Sequence, residues 1–566
     1  MLTVARGDPD VRLSMGTWVE RNARRHRDAP ALYFEDATWT WRELNAAANR
    51  WASALRERGV SHGDAVVLLM ESRPELLFAV VGLAKLGAAA ALVNTSIRGD
   101  ALRHCVEVVA PKLVLVGDEL AGAFGQVRRD LSVSALRVSD PWAPSGDGLG
   151  ADDLVESARW APITNPGSTR RVRLGDRVFT IPTSGTTGLP KASVMSHMRW
   201  VKAADTAGRA FLDLRPGEAV YSALPFFHNM SLTIGWGAVV AAGAALAMRR
   251  KLSISEFWAD CRRYGVVAFP YIGELPRYLL SAPPSAGDRD HGVRAVVGVG
   301  MRADVWSPFA DRFGIDDVFE MYSASEANTA FVNPLGIRGS VGFCPGPHAL
   351  LAWDGERGEP RRDAGGRYVR ARRGEAGLLI AKVSPRYPFD GYTDPAASEK
   401  KLLRSVFRGG DLWVDTGDLL RKIGWGHAVF VDRVGDTFRW RSENVSTLQV
   451  ERSLNTAPGV RGCAVVGVEV PGAPGRAGLA AVVASGGLDI GGIAEHLFAE
   501  LPEPAVPVFL RAVDALETTG THKPRKGRLR AEGWEAAAWV RLPRTRAYVP
   551  LTEAIRGQLR AGSLLF

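Results

Sequence analysis

The stretch IPTSGTTGLPKAS, Ile181 to Ser193, sets two glycines and four hydroxyl residues ahead of a single lysine. Gly185 and Gly188 reach backbone angles that other residues avoid. Successive main-chain N–H groups can therefore turn inward and form a concave anion site. Thr183, Ser184, Thr186 and Thr187 add donors at the rim, and Lys191 adds a compact positive charge. The chemistry suits a polyphosphate. It is not the Walker loop, because Pro190 precedes Lys191 and Ala192 follows it. Alone, such a cluster reads equally as a polar turn between strands, so residues elsewhere must decide.

Four other stretches carry suitable partners. MYSASEAN (321–328) holds Glu326, DTGDLL (415–420) holds Asp418, DRVGDTFRWRSENVSTLQVE (432–451) holds Arg433, and TTGTHKPRKGRL (518–529) holds Lys523. One acid for Mg²⁺, one for ribose hydroxyls, an arginine and two lysines for phosphates would together make an ATP site. Each has a plainer role open to it. Lys523 sits in a basic run with Arg525, Lys526, Arg528 and Arg530, and such runs are usually solvated. Asp418 could cap a turn, Glu326 could open a helix, His228 could be hydrogen-bonded structure, and Phe438 and Trp440 read as packing.

Positioning these residues requires a large α/β chain. The 566 residues suggest several domains, and 46% apolar with 23% charged residues is ordinary for a globular protein. Cys105, Cys261, Cys344 and Cys463 are far apart, which argues against zinc and disulfides and fits a reducing cytosol. The start lacks a secretory signal pattern, so a cytoplasmic location is expected. The net charge of +10 is spread along the chain. That points to anionic small ligands and not to nucleic acid. Two apolar runs, 76–94 and 234–247, read as buried helix–strand units, the first carrying Lys85, the second too short for a span. Membrane contact is expected to be peripheral at most.

Leu44, Ala48, Trp51 and Leu55 have helical spacing, with Gly59 as the stop. Alternation with short apolar strands (DAVVLLM, AAAALVN, PKLVLVG) predicts a doubly wound parallel sheet. Residues 137–172 read as a surface connection, and the texture turns β-rich from about Gly336. A small α/β unit begins near Gly435. The expected division is 1–434, a large domain of doubly wound sheets plus a β-rich part, and 435–566, a small mobile α/β domain.

TSGTTGLPKA resembles the phosphate-loop motif of the adenylate-forming superfamily, which contains acyl-CoA synthetases, adenylation domains and luciferases. The resemblance is closest to the fatty-acid-transport-protein and very-long-chain acyl-CoA synthetase group. It is carried by LPFFHNM, RRKLSISEFWADCRRYGVVAFPYIGELPRYLL, PFDGYTDPAASEKKLL and GDTFRWRSENVST, and covers roughly residues 15 to 555. It implies that Thr183, Ser184, Gly185, Thr186, Thr187, Gly188 and Lys191 embrace the β- and γ-phosphates. Gly298, Gly300 and Tyr322 would border the adenine, Ser325 the α-phosphate, and Glu326 would bind Mg²⁺. Asp418 and Arg433 would hold the ribose. Gly435 falls at the hinge, Lys523 would bridge the attacking carboxylate and the α-phosphate, and His228 would lie near the reacting oxygen.

The chain departs from the family pattern in one direction. Where the family has Tyr-Gly-Ala-Thr-Glu-Gly-Asn, this chain has Tyr322-Ser323-Ala324-Ser325-Glu326-Ala327-Asn328; where the group has His-Ser-Ala-Gly, it has His228-Asn229-Met230-Ser231. Ser442 replaces a glycine that lines the family's pantetheine channel. The resemblance thus implies ATP-dependent activation of an acid as its AMP derivative with release of pyrophosphate. Two acceptors follow as expectations: CoA, giving an acyl-CoA from a fatty or aromatic acid, or an aryl amine, with nitrite as the activated acid in secondary metabolism. Oligomeric state is not read from the sequence.

Overall fold

The computed structural model describes residues 7–143, 149–150, 152–183, 191–324, 327–354, 357–441, 443–473, 475–484, 486–518 and 524–564. The phosphate loop from Ser184 to Pro190, together with Ser325, Glu326, Ser442 and Lys523, lies outside the described residues.

The expected helix forms at Trp41–Glu57, where Thr40 and Glu43 make a reciprocal capping box. Leu44, Ala48, Trp51 and Leu55 are all buried on one face, and Gly59 leaves the helix with a φ of +81°. The two apolar runs are buried units as expected: Pro74–Leu86 with Ala89–Leu92, and Trp236–Ala242 with Ala245–Met248. Among the described residues no helix is long and apolar enough to cross a membrane. Lys85, within the first run, is fully buried, and its ammonium donates to Asn45 (2.7 Å), Asn49 (2.7 Å), Asn165 (3.1 Å) and Glu20 (3.2 Å). Burial lowers its pKa to about 8.

Two sheets organise the larger part. A six-stranded sheet runs Ser134–Val138, Leu113–Gly117, Ala65–Leu69, Ala89–Leu92, Arg177–Thr183 and Lys191–Ser196. All its pairs are parallel except the last, an antiparallel hairpin in which Thr183 faces Lys191. In the second sheet, Asp317–Ser323, Ala295–Val299, Val266–Ile272, Ala219–Ser222, Ala245–Met248 and Pro30–Phe34 are parallel. Their buried, near-continuous apolar sequences suit a sheet covered on both faces. The path continues through the antiparallel strands Ala330–Asn333, Gly342–Phe343, His427–Arg433, Leu412–Gly424, Ala376–Lys382 and His348–Asp354. The two-residue strand Gly342–Phe343 is the narrowest step of this path, joining Ala330–Asn333 to His427–Arg433.

Residues 137–172 do more than connect. The helix Leu154–Arg159 buries Leu154 and Ala158, one turn apart, in the large core that also holds Leu44 and Ala48. Beyond Gly435, a five-stranded sheet, Val460–Glu469, Arg476–Ala484, Phe509–Ala512, Trp539–Arg541 and Tyr548–Pro550, builds a separate smaller core. Phe438 and Trp440 belong to that core, as packing residues. Gly467 and Gly478 let Phe438 lie flat on the sheet: a Cβ on Gly467 would stand 2.4 Å from the Phe438 Cβ.

Candidate active site

The parallel strands of the second sheet deliver their carboxyl ends to one edge, where open α/β sheets bind ligands. Val299 leads to Gly300, Ser323 leads to Ser325 and Glu326, Ile272 leads to Gly273, and Ser222 leads into the turn carrying His228. Gly298 pairs with Glu320 and Val299 with Met321, so the glycine stretch and the Tyr322 strand are immediate neighbours. Gly298 is obligatory here, since a Cβ would lie 2.3 Å from the Tyr271 carbonyl and 2.5 Å from its ring.

The structure gathers Tyr322, Asp418 and Arg433. Asp418 and Arg433 face each other across antiparallel strands. The Tyr322 hydroxyl donates to Asp418 Oδ2 at 2.6 Å, and the Arg433 guanidinium stands 3.3 Å from Oδ1. Asp418 is 3% exposed, whereas the Arg433 side chain is 51% exposed. One charge is thus sunk and hydrogen-bonded while its partner is half-exposed. Burial, reinforced by the Asp418 charge, drives the Tyr322 phenol well above its ordinary pKa. Tyr322 therefore remains a donor, and the carboxylate keeps acceptor capacity for a hydroxyl pair.

Other expected residues have their own partners. Lys191 closes the hairpin that holds the phosphate loop, and its ammonium lies 5.5 Å from the Tyr392 ring centre. His228 Nδ1 accepts from the Met230 N–H at 3.2 Å, which assigns the proton of the neutral ring to Nε2. Asn229 is hydrogen-bonded to the Thr233 hydroxyl. The basic run around Lys523 is not simply solvated: Lys526 pairs with Glu451 (2.8 Å), Arg528 with Glu517, and Arg530 with Asp436 (3.0 Å) beside Gly435. Gly435 has a φ of +94°. Among the described residues no group of three His, Cys, Asp or Glu gathers to hold a metal.

Sequence reasoning missed two residues. Glu320 is fully enclosed and accepts from the Tyr271 hydroxyl (2.5 Å), Gly300 N–H (2.6 Å) and Met301 N–H (3.0 Å). It thereby fixes the backbone beside Gly298. With no cation among the groups that perturb it, burial raises its pKa to about 8. Its signal was a lone acid at a buried position of an apolar strand. Arg199 donates to the Ala327 carbonyl at 2.8 Å and to Val194 at 3.2 Å, tying the phosphate-loop hairpin to the segment that follows Glu326. No local pattern marks it.

Beside the crevice lies a cavity of about 260 Å³, lined by apolar residues including Leu68, Leu92, Phe226, Leu275 and Tyr278. At its edge Glu71 takes Lys251 at 2.7 Å and Arg250 at 3.6 Å. The turn that lines it ends at His228, and Ile272 in its wall precedes Gly273, whose N–H bonds the Val299 carbonyl at 2.9 Å.

This arrangement of a glycine-rich hairpin, a carboxylate–phenol–guanidinium group and an appended small domain defines a nucleotide-using ligase fold. A family model described as AMP-binding enzyme matches residues 19–370, and one described as AMP-binding enzyme C-terminal domain matches 449–523. The chain belongs to the AMP-binding enzymes, the adenylate-forming superfamily. Within it, the chain is similar to the medium/long-chain-fatty-acid–CoA ligase FadD6 of Mycobacterium tuberculosis, 42% identical over 530 residues that cover 93% of this chain and 87% of that protein. It is similar also to long-chain fatty acid transport protein 1 of Mus musculus, 37% identical over 547 residues, 93% and 83% of the two chains. Among solved structures, the anthranilate CoA ligase AuaEII in complex with anthranoyl-AMP shares the fold, with a TM-score of 0.79, 21% identity and coverage of 92% and 97%. A Mycobacterium tuberculosis fatty acyl CoA synthetase does so with a TM-score of 0.66, 23% identity and coverage of 93% and 99%.

Proposed function

We propose that the protein activates a carboxylic acid with ATP and transfers the acyl group to CoA. The observation that carries this reading is the Tyr322–Asp418–Arg433 group, built on Tyr322 near the carboxyl end of a parallel strand. In the first step a carboxylate oxygen attacks the α-phosphorus, the bond to the bridging oxygen breaks, and pyrophosphate leaves. In the second, the CoA thiolate attacks the acyl carbonyl, AMP leaves, and the thiol proton passes to solvent. Asp418 accepts from the ribose hydroxyls, Arg433 reinforces that contact, and Gly298 and Gly300 leave room for the base. The hydroxyls from Thr183 to Thr187, with Gly185, Gly188 and Lys191, hold the β- and γ-phosphates, and Ser325 meets the α-phosphate. Glu326 would hold Mg²⁺, which neutralises charge on the phosphates. Lys523 brings the cation that lets two negative groups meet.

The apolar cavity beside His228 supports an acid with an apolar tail. At about 260 Å³ it is below the roughly 300–1,000 Å³ of drug-sized sites, which suits a short or medium chain, or an aryl acid. The names of the relatives, a medium/long-chain-fatty-acid–CoA ligase and long-chain fatty acid transport proteins, support an acid with an apolar tail and favour the medium chain over the short one. The nitrite-activating alternative gains no support from the relatives and structures described above. Residues 435–566 act in this reading as the mobile domain that carries Lys523 in and out.

AMP release should require ATP, Mg²⁺, an acid and CoA together, and Lys523→Ala should lower the adenylation rate by about 10²–10³. AMP release driven by nitrite and an aryl amine without CoA would overturn the acceptor. Release of ADP only would overturn the whole reading.

A further inference from the structure

The strands Leu412–Gly424 and His427–Arg433 meet in a tip, Ile423-Gly424-Trp425-Gly426, at the end remote from Asp418. Seven residues separate Asp418 from Trp425, about 23 Å of strand. Trp425 is 95% exposed and Ile423 40% exposed. Three consecutive residues have positive φ: Gly424 at 127°, Trp425 at 52° and Gly426 at 76°. Glycine adopts such angles freely, whereas a bulky residue there is strained by about 1 kcal/mol or more. The strained tryptophan gains almost no burial in return. Folding alone does not account for that residue in that conformation.

The tip is also cationic. Arg421 and Lys422 precede it, the Arg373 guanidinium donates to the Ile423 carbonyl at 3.3 Å, and residues 419–431 contain no acid. A convex point that pairs an indole with an aliphatic side chain above basic residues matches the water–lipid interface. There tryptophan prefers the headgroup level, and each cation adds about 1 kcal/mol against anionic lipid. Single-stranded nucleic acid would need a basic groove with successive stacking rings, and a second copy of the same tip would be repelled.

We propose that the tip at Ile423–Gly426 docks the protein on an anionic lipid surface, with Trp425 and Ile423 inserted and Lys422, Arg421 and Arg373 facing the headgroups. This stands apart from the acyl-transfer reading.

The test is flotation of the full chain with vesicles of phosphatidylcholine, with and without phosphatidylglycerol. Wild type should float with the anionic vesicles and be released by salt. Trp425→Gly should reduce binding roughly tenfold, as for the loss of an interfacial anchor worth about 1.4 kcal/mol. Its melting temperature should hold or rise, because glycine relieves the strained backbone. Lys422→Glu should weaken binding to anionic vesicles only. AMP release without vesicles should be unchanged in both variants. Equal flotation of wild type and Trp425→Gly, no flotation of wild type, a lowered melting temperature for Trp425→Gly, or Trp425-dependent retention by an oligonucleotide in place of vesicles would each overturn the proposal.

Discussion

Asp418 has two jobs with separable signatures. Its carboxylate is the acceptor for the buried Tyr322 hydroxyl, and it faces Arg433. Asp418→Ala leaves that phenol buried without its acceptor, a loss of about 1–3 kcal/mol of stability. Asp418→Asn keeps an acceptor and removes the charge. We expect Asp418→Asn to stay within about 1 kcal/mol of wild-type stability. We also expect it to raise KM for ATP roughly tenfold or more, the scale of a hydrogen bond to a charged group. Thermal denaturation alongside initial rates separates the two. A wild-type KM in Asp418→Asn would remove the ribose assignment.

Among the elements, the strand Phe438–Trp440 is the link between the strand that ends at Arg433 and the small sheet. Phe438 can dock only because Gly467 and Gly478 present bare backbone. Gly467→Val should push Phe438 off and destabilise the C-terminal core by about 1–3 kcal/mol, the scale of overpacking. Limited proteolysis should then cut first beyond residue 435, while the larger part resists. Cleavage at wild-type rates would show that the contact is dispensable. The elements were the most legible part of the sequence. Apolar spacing and the stop at Gly59 found the helix Trp41–Glu57, and continuous apolar runs found the parallel strands, because buried elements leave a periodic trace. The helix Leu154–Arg159 was hidden among turn-forming residues, since two buried positions are too few to show a period. The gathering of Tyr322, Asp418 and Arg433 was legible only through a family resemblance. Tertiary pairings over about a hundred residues leave no local mark. Arg199 acts through backbone carbonyls, which have no sequence signature, and the buried acid Glu320 marks its strand without saying what it binds.

At the scale of the whole molecule, two buried ionisable groups shape the response to pH in opposite senses. His197 is completely buried, and burial lowers its pKa from 6.5 to about 3. Its folded form stays neutral, so stability present above about pH 6.5 is lost as pH falls toward 3. Glu320 is raised from 4.5 to about 8 by burial. Its contribution is full below about pH 4.5 and is lost as pH rises toward about 8. Glu320→Gln should therefore flatten the decline in melting temperature between these values, relative to wild type. Parallel curves for the two proteins would mean that Glu320 ionises freely in the fold.

The long sheet narrows to a two-residue strand at Gly342–Phe343, with Tyr322 on one side of that narrow seam and Asp418 on the other. The phenol–carboxylate bond is therefore a clasp across the shortest plank along that stretch of the framework. Whatever grips Asp418 from the crevice also helps keep the two halves fastened.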